Sequence, residues 1–115
     1  MDDSEKKFKA ICKLFGYKGT DKDEIPEGIG KFGYEVTNPI PVHTITGSQF
    51  YLKSLRTPDG GRITYKRLYS TQKENIEAPI DAYQIFSGGE KIAVLYICPY
   101  NKKNSGKAPE GFIIV

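Results

Sequence analysis

The chain has a single histidine, His43, and two cysteines, Cys12 and Cys98, among its 115 residues. Structural zinc needs four nitrogen or sulfur ligands arriving in close pairs, so this inventory excludes a zinc site. No other metal or cofactor signature takes its place, and none is expected to bind. No apolar run approaches the roughly 20 residues that a membrane-crossing helix requires. The N-terminus, "MDDSEKKFKA", mixes charges of both signs where a secretory signal would be apolar, so a cytoplasmic protein is expected. Each cysteine lies among apolar neighbours ("AICKLF" and "LYICPY"), as small buried hydrophobes do. Two reduced thiols are expected in that compartment, with a bond between the first helix and a late strand as the alternative.

Catalytic patterns are equally sparse. No serine or cysteine sits in a nucleophile context. The segment "NKKNSGK" has the glycine and lysine of a phosphate loop, but Ala108-Pro109 follows where such a loop needs serine or threonine and a helix. Tryptophan is absent, and the eight tyrosines come without the "K-G-F-G-F" type element of RNA-binding sheets. His43, in "PVHTITG", becomes a general base only if an acid stands beside it. A small hydrolase or nuclease built on His43 is therefore the least favoured reading.

Apolar residues make up 38% of the chain and charged residues 27%, the balance of a folded soluble domain. At this length one domain, 1–115, is expected. The net charge of +3 is modest but unevenly spread. Residues 1–38 hold seven lysines against eight acids, and residues 76–115 balance at four against four. The excess lies between: Lys53, Arg56, Arg62, Lys66, Arg67 and Lys73 against Asp59 and Glu74, or +4, with all three arginines there.

Phe8, Cys12 and Phe15 recur at helical spacing beside Ile11, with lysines on the outer face, so residues 4–15 read as an amphipathic helix. Ser4 or Asp3 can cap its start, and Gly16 follows as a left-handed cap. The stripe is wide enough to pack on a sheet. "KFGYEV" alternates and predicts a half-buried strand over 31–36. Pro39 and Pro41 keep "TNPIPV" to an edge or a crossing loop. "YLKSLRT" and "RITYKRLYS" flank Pro58-Asp59-Gly60-Gly61 as a hairpin, with a glycine taking positive φ. "IDAYQIF" and "IAVLYIC" form a second hairpin, the latter apolar enough for a central strand. The terminal "FIIV" reads as a paired strand. The fold class is α+β: an N-terminal helix on a curved, mainly antiparallel sheet of five to six strands, β-rich over 31–115.

A three-residue loop in the first hairpin sets Arg56 opposite Arg62, Leu55 opposite Ile63, and Lys53 opposite Tyr65. Leu55 and Ile63 then mark the buried face, and Arg56, Arg62 and Lys66 share the other; a four-residue loop breaks the pairing. Like charges directly opposite cost about 0.2–1 kcal/mol. They either spread into water or hold an anion between them, and guanidinium forks suit phosphate and carboxylate. The plain alternative is a solvated face whose charges deter edge pairing. Lys102 and Lys103, in the polar loop after Pro99, are the second basic feature.

The expected function is a non-enzymatic binding module that recognises an acidic protein partner through Arg56, Arg62 and Lys66, with Lys102 and Lys103. The alternative is a nucleic-acid-binding domain in which Tyr65, Tyr69, Tyr83, Tyr96 and Tyr100, in or beside strands, stack bases near the arginines. The blocks "DEIPEGIGKFGYEVTNPIPV" and "YLKSLRTPDGGRITYKRLYS" and the ending "KAPEGFII" resemble small bacterial proteins to which no activity is attached. The resemblance spans residues 24 to 113. It implies a bacterial origin and a self-contained domain, and carries over no functional residue.

Overall fold

The computed structural model describes residues 3–115; Met1 and Asp2, at the start of the charged N-terminus, lie outside the described residues. The first helix, α1, runs Asp3–Phe15. Gly16 ends it at φ +73, with Gly16 N–H donating to Lys13 O and Tyr17 N–H to Cys12 O, the two bonds of a left-handed C-cap. No residue of α1 is fully buried. Phe8 and Cys12 are half-buried, whereas Leu14 is 78% and Phe15 63% exposed. The helix therefore rests on a narrow stripe rather than the wide one its sequence offers.

Residues 17–39 hold no regular element. They are tied down by side chains instead: Glu77 accepts the Lys18 and Gly19 N–H groups, and Asn75 donates to Glu27 O and Thr37 O. The strand expected over 31–36 is absent. Gly33 sits at φ +78, a left-handed value that breaks an extended run, and Tyr34 and Glu35 N–H both donate back to Lys31 O. The apolar alternation was real, but a turn produces it. Phe32 is buried in one core and Val36 packs on another.

Strand β1, Ile40–Pro41, pairs in parallel with the last long strand and lies at the sheet edge, where prolines are tolerated. Helix α2, Thr44–Ser54, follows and runs into the short strand β2, Leu55–Arg56. This corrects the reading of "YLKSLRT" as a strand. Gly47, Ser48, Tyr51 and Leu52 are buried at helical spacing. Lys53 belongs to the last turn of α2, so it does not face Tyr65, whose partner is Ile85.

Strands β3 (Thr64–Thr71), β4 (Ile80–Ser87) and β5 (Glu90–Cys98) pair antiparallel, giving the order β1-β5-β4-β3. Gly88 and Gly89, both at positive φ, close the tight β4–β5 turn. The terminal β6, Ile113–Ile114, pairs with β2 in a separate two-stranded sheet. Among the described residues the α+β architecture is thus two helices and six strands in two sheets, mainly antiparallel and not closed into a barrel.

Register assigns the faces. Tyr83 and Ile85 of β4, with Leu95 and Ile97 of β5, point to the side where Tyr51, Leu52 and Leu55 are buried. Each such aliphatic side chain contributes about 1.5–3 kcal/mol by leaving water. Ile80 and Cys98 point the other way, into a smaller cluster with Ile76 and Ala78. That second cluster covers only one end of its face.

Candidate functional site

The loop between β2 and β3 forms as its residues require. Thr57 N–H donates to Gly61 O (2.9 Å), Gly60 N–H to Thr57 O (2.8 Å), and Gly60 takes φ +88. The Thr57 hydroxyl donates to Asp59, and Gly61 N–H also reaches that carboxylate. These two bonds, the hydroxyl first, hold the Asp59 carboxyl below its ordinary value. Arg56 and Arg62 face each other as an antiparallel bridge, which is the register of a three-residue loop.

The two guanidiniums nevertheless do different things. Arg56 donates to Lys53 O (2.6 Å) and Leu55 O (2.9 Å), satisfying carbonyls at the C-terminus of α2. Its charge is spent on the helix end, where a cation is favoured. Arg62 is exposed, and no ion pair or side-chain hydrogen bond holds it among the described residues. Lys66 is likewise exposed and pairs in register with Gln84.

A shift in register between Arg67 and Tyr69 then matters. Lys66 stands opposite Gln84 and Tyr69 opposite Ala82, two residues apart on β4, so Lys66 and Tyr69 share one face despite their odd spacing. Tyr96 also pairs with Ala82, and its hydroxyl lies 3.4 Å from that of Tyr69. The result is an open sheet face carrying Lys66, Tyr69, Gln84, Val94 and Tyr96. Tyr69 is 49% exposed, and Leu68, at the shift, 44%. Tyr65 and Tyr83 lie on the opposite, core side, ring to ring at 5.9 Å, so they are withdrawn from any base-stacking surface.

The second basic feature does not join this one. Lys102 and Lys103 belong to the loop whose Asn104 accepts from His43 N–H and donates to Gly47 O, at the start of α2. The arginine loop leaves from its end, so the 11-residue helix separates them by about 16 Å. That loop is compensated at Lys103 and Lys107, while Lys102 is exposed with no ion pair among the described residues. Lys103 pairs with Asp23 (3.4 Å) and Lys107 with Glu24 (2.9 Å). Gly106 N–H first, and Lys103 after it, lower the Asp23 carboxyl; Lys107 lowers that of Glu24. Lys31 pairs with Glu110, and Arg67 with the buried Asp81 at 3.0 Å.

His43 gains the acid that its sequence context did not reveal. Its Nδ1 lies 2.7 Å from Asn101 O, and its Nε2 lies 2.7 Å from Glu5 Oε1, 38 residues away on α1. Carbonyl and carboxylate oxygens both only accept, so each bond takes an N–H from the ring: Nδ1 donates to Asn101 O and Nε2 to Glu5. Phe8 meets the imidazole edge-on at 4.7 Å and stacks on Tyr100 at 6.1 Å. The next residue, Thr44, is the one non-glycine at positive φ among the described residues (φ +69), held by its N–H bond to Pro99 O. Beside this group lies a cleft of about 590 Å³ between α1 and the start of α2.

Cys12 and Cys98 are unpaired, and burial pushes the Cys98 thiol up to about 11. No helix among the described residues is long and apolar enough to cross a membrane. Comparison of the chain with protein-family models, curated proteins and solved structures gives no match.

Proposed function

We propose that the protein is a non-enzymatic binding module that docks an acidic protein surface on the outer face of β3, with Arg62 and Lys66 as its cationic contacts. The observation that carries this reading is uneven compensation. Among the cations of the β2–β3 ribbon, Arg56 is bonded to carbonyls at the end of α2 and Arg67 to Asp81, whereas Arg62 and Lys66 face solvent beside the exposed Leu68 and Tyr69. Arginine and tyrosine next to an apolar side chain is the composition of interface centres. Arg56 supports the surface indirectly, by closing the end of α2 under it. Lys102 and Lys103 belong to a different part of the surface and are not part of this site. A bacterial, cytoplasmic setting belongs to the same reading, and the two unpaired thiols agree with it.

The nucleic-acid reading draws on one specific observation, Tyr69 and Tyr96 sharing an open face with Lys66. The hydrolase reading gains the acid it required, Glu5 beside His43 at the cleft, but neither ring nitrogen is left to activate a nucleophile or a water, since Nδ1 is held by Asn101 O and Nε2 by Glu5 itself. A charge reversal, Arg62→Glu with Lys66→Glu, separates the first two. In capture from an extract of the source cell, the wild-type chain is expected to retain one dominant acidic protein that the double variant loses at unchanged Tm. Retention of single-stranded oligonucleotide on a filter at low salt, lost steeply as salt rises, would move the assignment to nucleic acid.

A further inference from the structure

Independently of the ribbon surface, we propose that the cleft beside His43 is a binding site for an aromatic carboxylate, and that Glu5 holds the carboxylate position in its absence. The cleft volume of about 590 Å³ falls within the range of small-ligand sites. Its walls are apolar where the fold has no need of them. Ile45 is 50% and Phe50 69% exposed, and both line it with Phe8, Pro99 and Tyr100. Its polar lining includes Lys7 beside the group in which His43 bonds Glu5 through Nε2 and Asn104 through its backbone N–H.

The chemistry of that group is set by His43. Asn101 O accepts from Nδ1–H, so a ligand meets Nε2, which binds a carboxylate by donating its own N–H. What Nε2 bonds here is a carboxylate oxygen at 2.7 Å, with an aromatic ring from the same helix against the imidazole and Tyr100. α1 thus presents to the body a carboxylate and a ring three residues apart, while burying no residue fully. An arylalkanoic acid carries the same two groups on one small skeleton. Its carboxylate replaces that of Glu5 on Nε2, charge for charge, and its ring enters the space bounded by Phe50 and Tyr100. Thr44, at φ +69, fixes the chain direction immediately after His43, and strain of this kind is kept where surrounding structure over-determines it.

The probe is 3-phenylpropionate, titrated into the isotope-labelled full-length chain and followed by amide and imidazole NMR shifts. Saturable shifts are expected at His43, Phe50 and Tyr100. Glu5→Ala removes the internal competitor and is expected to tighten binding about tenfold, and His43→Gln to weaken it by at least about tenfold. The neutral isostere 3-phenylpropanol is expected to bind at least about tenfold more weakly than the acid. Binding seen only in Glu5→Ala still supports the site, since the competitor is then stronger than the probe. The proposal fails if Glu5→Ala shows no saturable shift at about 10 mM probe. It also fails if the alcohol binds as well as the acid. Should His43→Gln not fold, amide exchange decides the matter in a wild-type chain that shows saturable shifts: exchange across residues 5–12 accelerates with saturating probe if Glu5 is displaced, and unchanged exchange under that saturation overturns the proposal.

Discussion

At the scale of single residues, burial and partner choice decide what each charge does. Asp81 is buried and takes Arg67, which reaches it diagonally, two residues along β4 from its own register partner Tyr83, while Arg67 itself is half exposed. Removing the guanidinium strands a buried carboxylate, a loss of 3–5 kcal/mol for fully buried pairs that solvent at Arg67 reduces. Arg67→Ala is expected to cost about 2 kcal/mol in chemical denaturation. Thr44 makes the opposite case: a β-branched residue in left-handed geometry is strained, and asparagine accepts that geometry while still able to take the Gly47 N–H. Thr44→Asn should therefore raise stability by about 1 kcal/mol. With its thiol pushed up to about 11, Cys98 has roughly a thousandth of its population as thiolate at pH 8. Iodoacetamide at that pH is expected to label Cys12 first, with Cys98 reacting only as the protein unfolds. Equal labelling rates would contradict the burial.

Among the elements, legibility followed how directly a sequence pattern constrains the backbone. The β4–β5 hairpin, the Gly16 cap and the Arg56–Arg62 register were readable because glycine and proline act locally. Helix α2 was hidden by its own packing. Its buried stripe uses Gly47 and Ser48, which carry no hydrophobic signal, and a Cβ at Gly47 would come within 2.6 Å of Asn104 Oδ1. The spacing of Tyr51, Leu52 and Leu55 on that stripe was visible, but three residues read equally well as part of a strand. "KFGYEV" misled for the converse reason, since its alternation serves a turn. Gly33→Ala should cost more than 1 kcal/mol, because the new Cβ meets Ile40 and Pro109 at 3.1 Å in left-handed geometry. The candidate site was half legible: the exposure of Arg62 and Lys66 fits the basic hairpin block, whereas the bonding of Arg56 to the end of α2 depended on an unforeseen helix. Neither the Glu5–His43 pair nor the face shared by Lys66 and Tyr69 could be read, since each rests on long-range placement or a register shift.

For the whole molecule, carboxylates tie the long N-terminal segment and the β2–β3 loop in place, and this fixes the response to acid. Asp23, Glu24 and Asp59 all titrate lower folded than free. Between the two sets of values the unfolded chain binds more protons, so this contribution is fully present above about pH 5 and is lost as pH drops through the depressed folded values. The Tm of the wild-type chain is expected to decline over that acid range, and more gently in Asp23→Asn/Glu24→Gln. An identical slope would remove these contacts from the account. Asp23 and Glu24 neutralise Lys103 and Lys107 and Asp81 neutralises Arg67, while Arg62 and Lys66 are the cations of the ribbon with no internal partner among the described residues. The most direct measurement of that claim is the NMR footprint of the captured acidic partner on the labelled full-length chain. Shifts and broadening are predicted at Arg62, Lys66, Leu68 and Tyr69, with Gln84 and Val94 behind them. A footprint centred on α1 and α2, leaving β3 undisturbed, would contradict it.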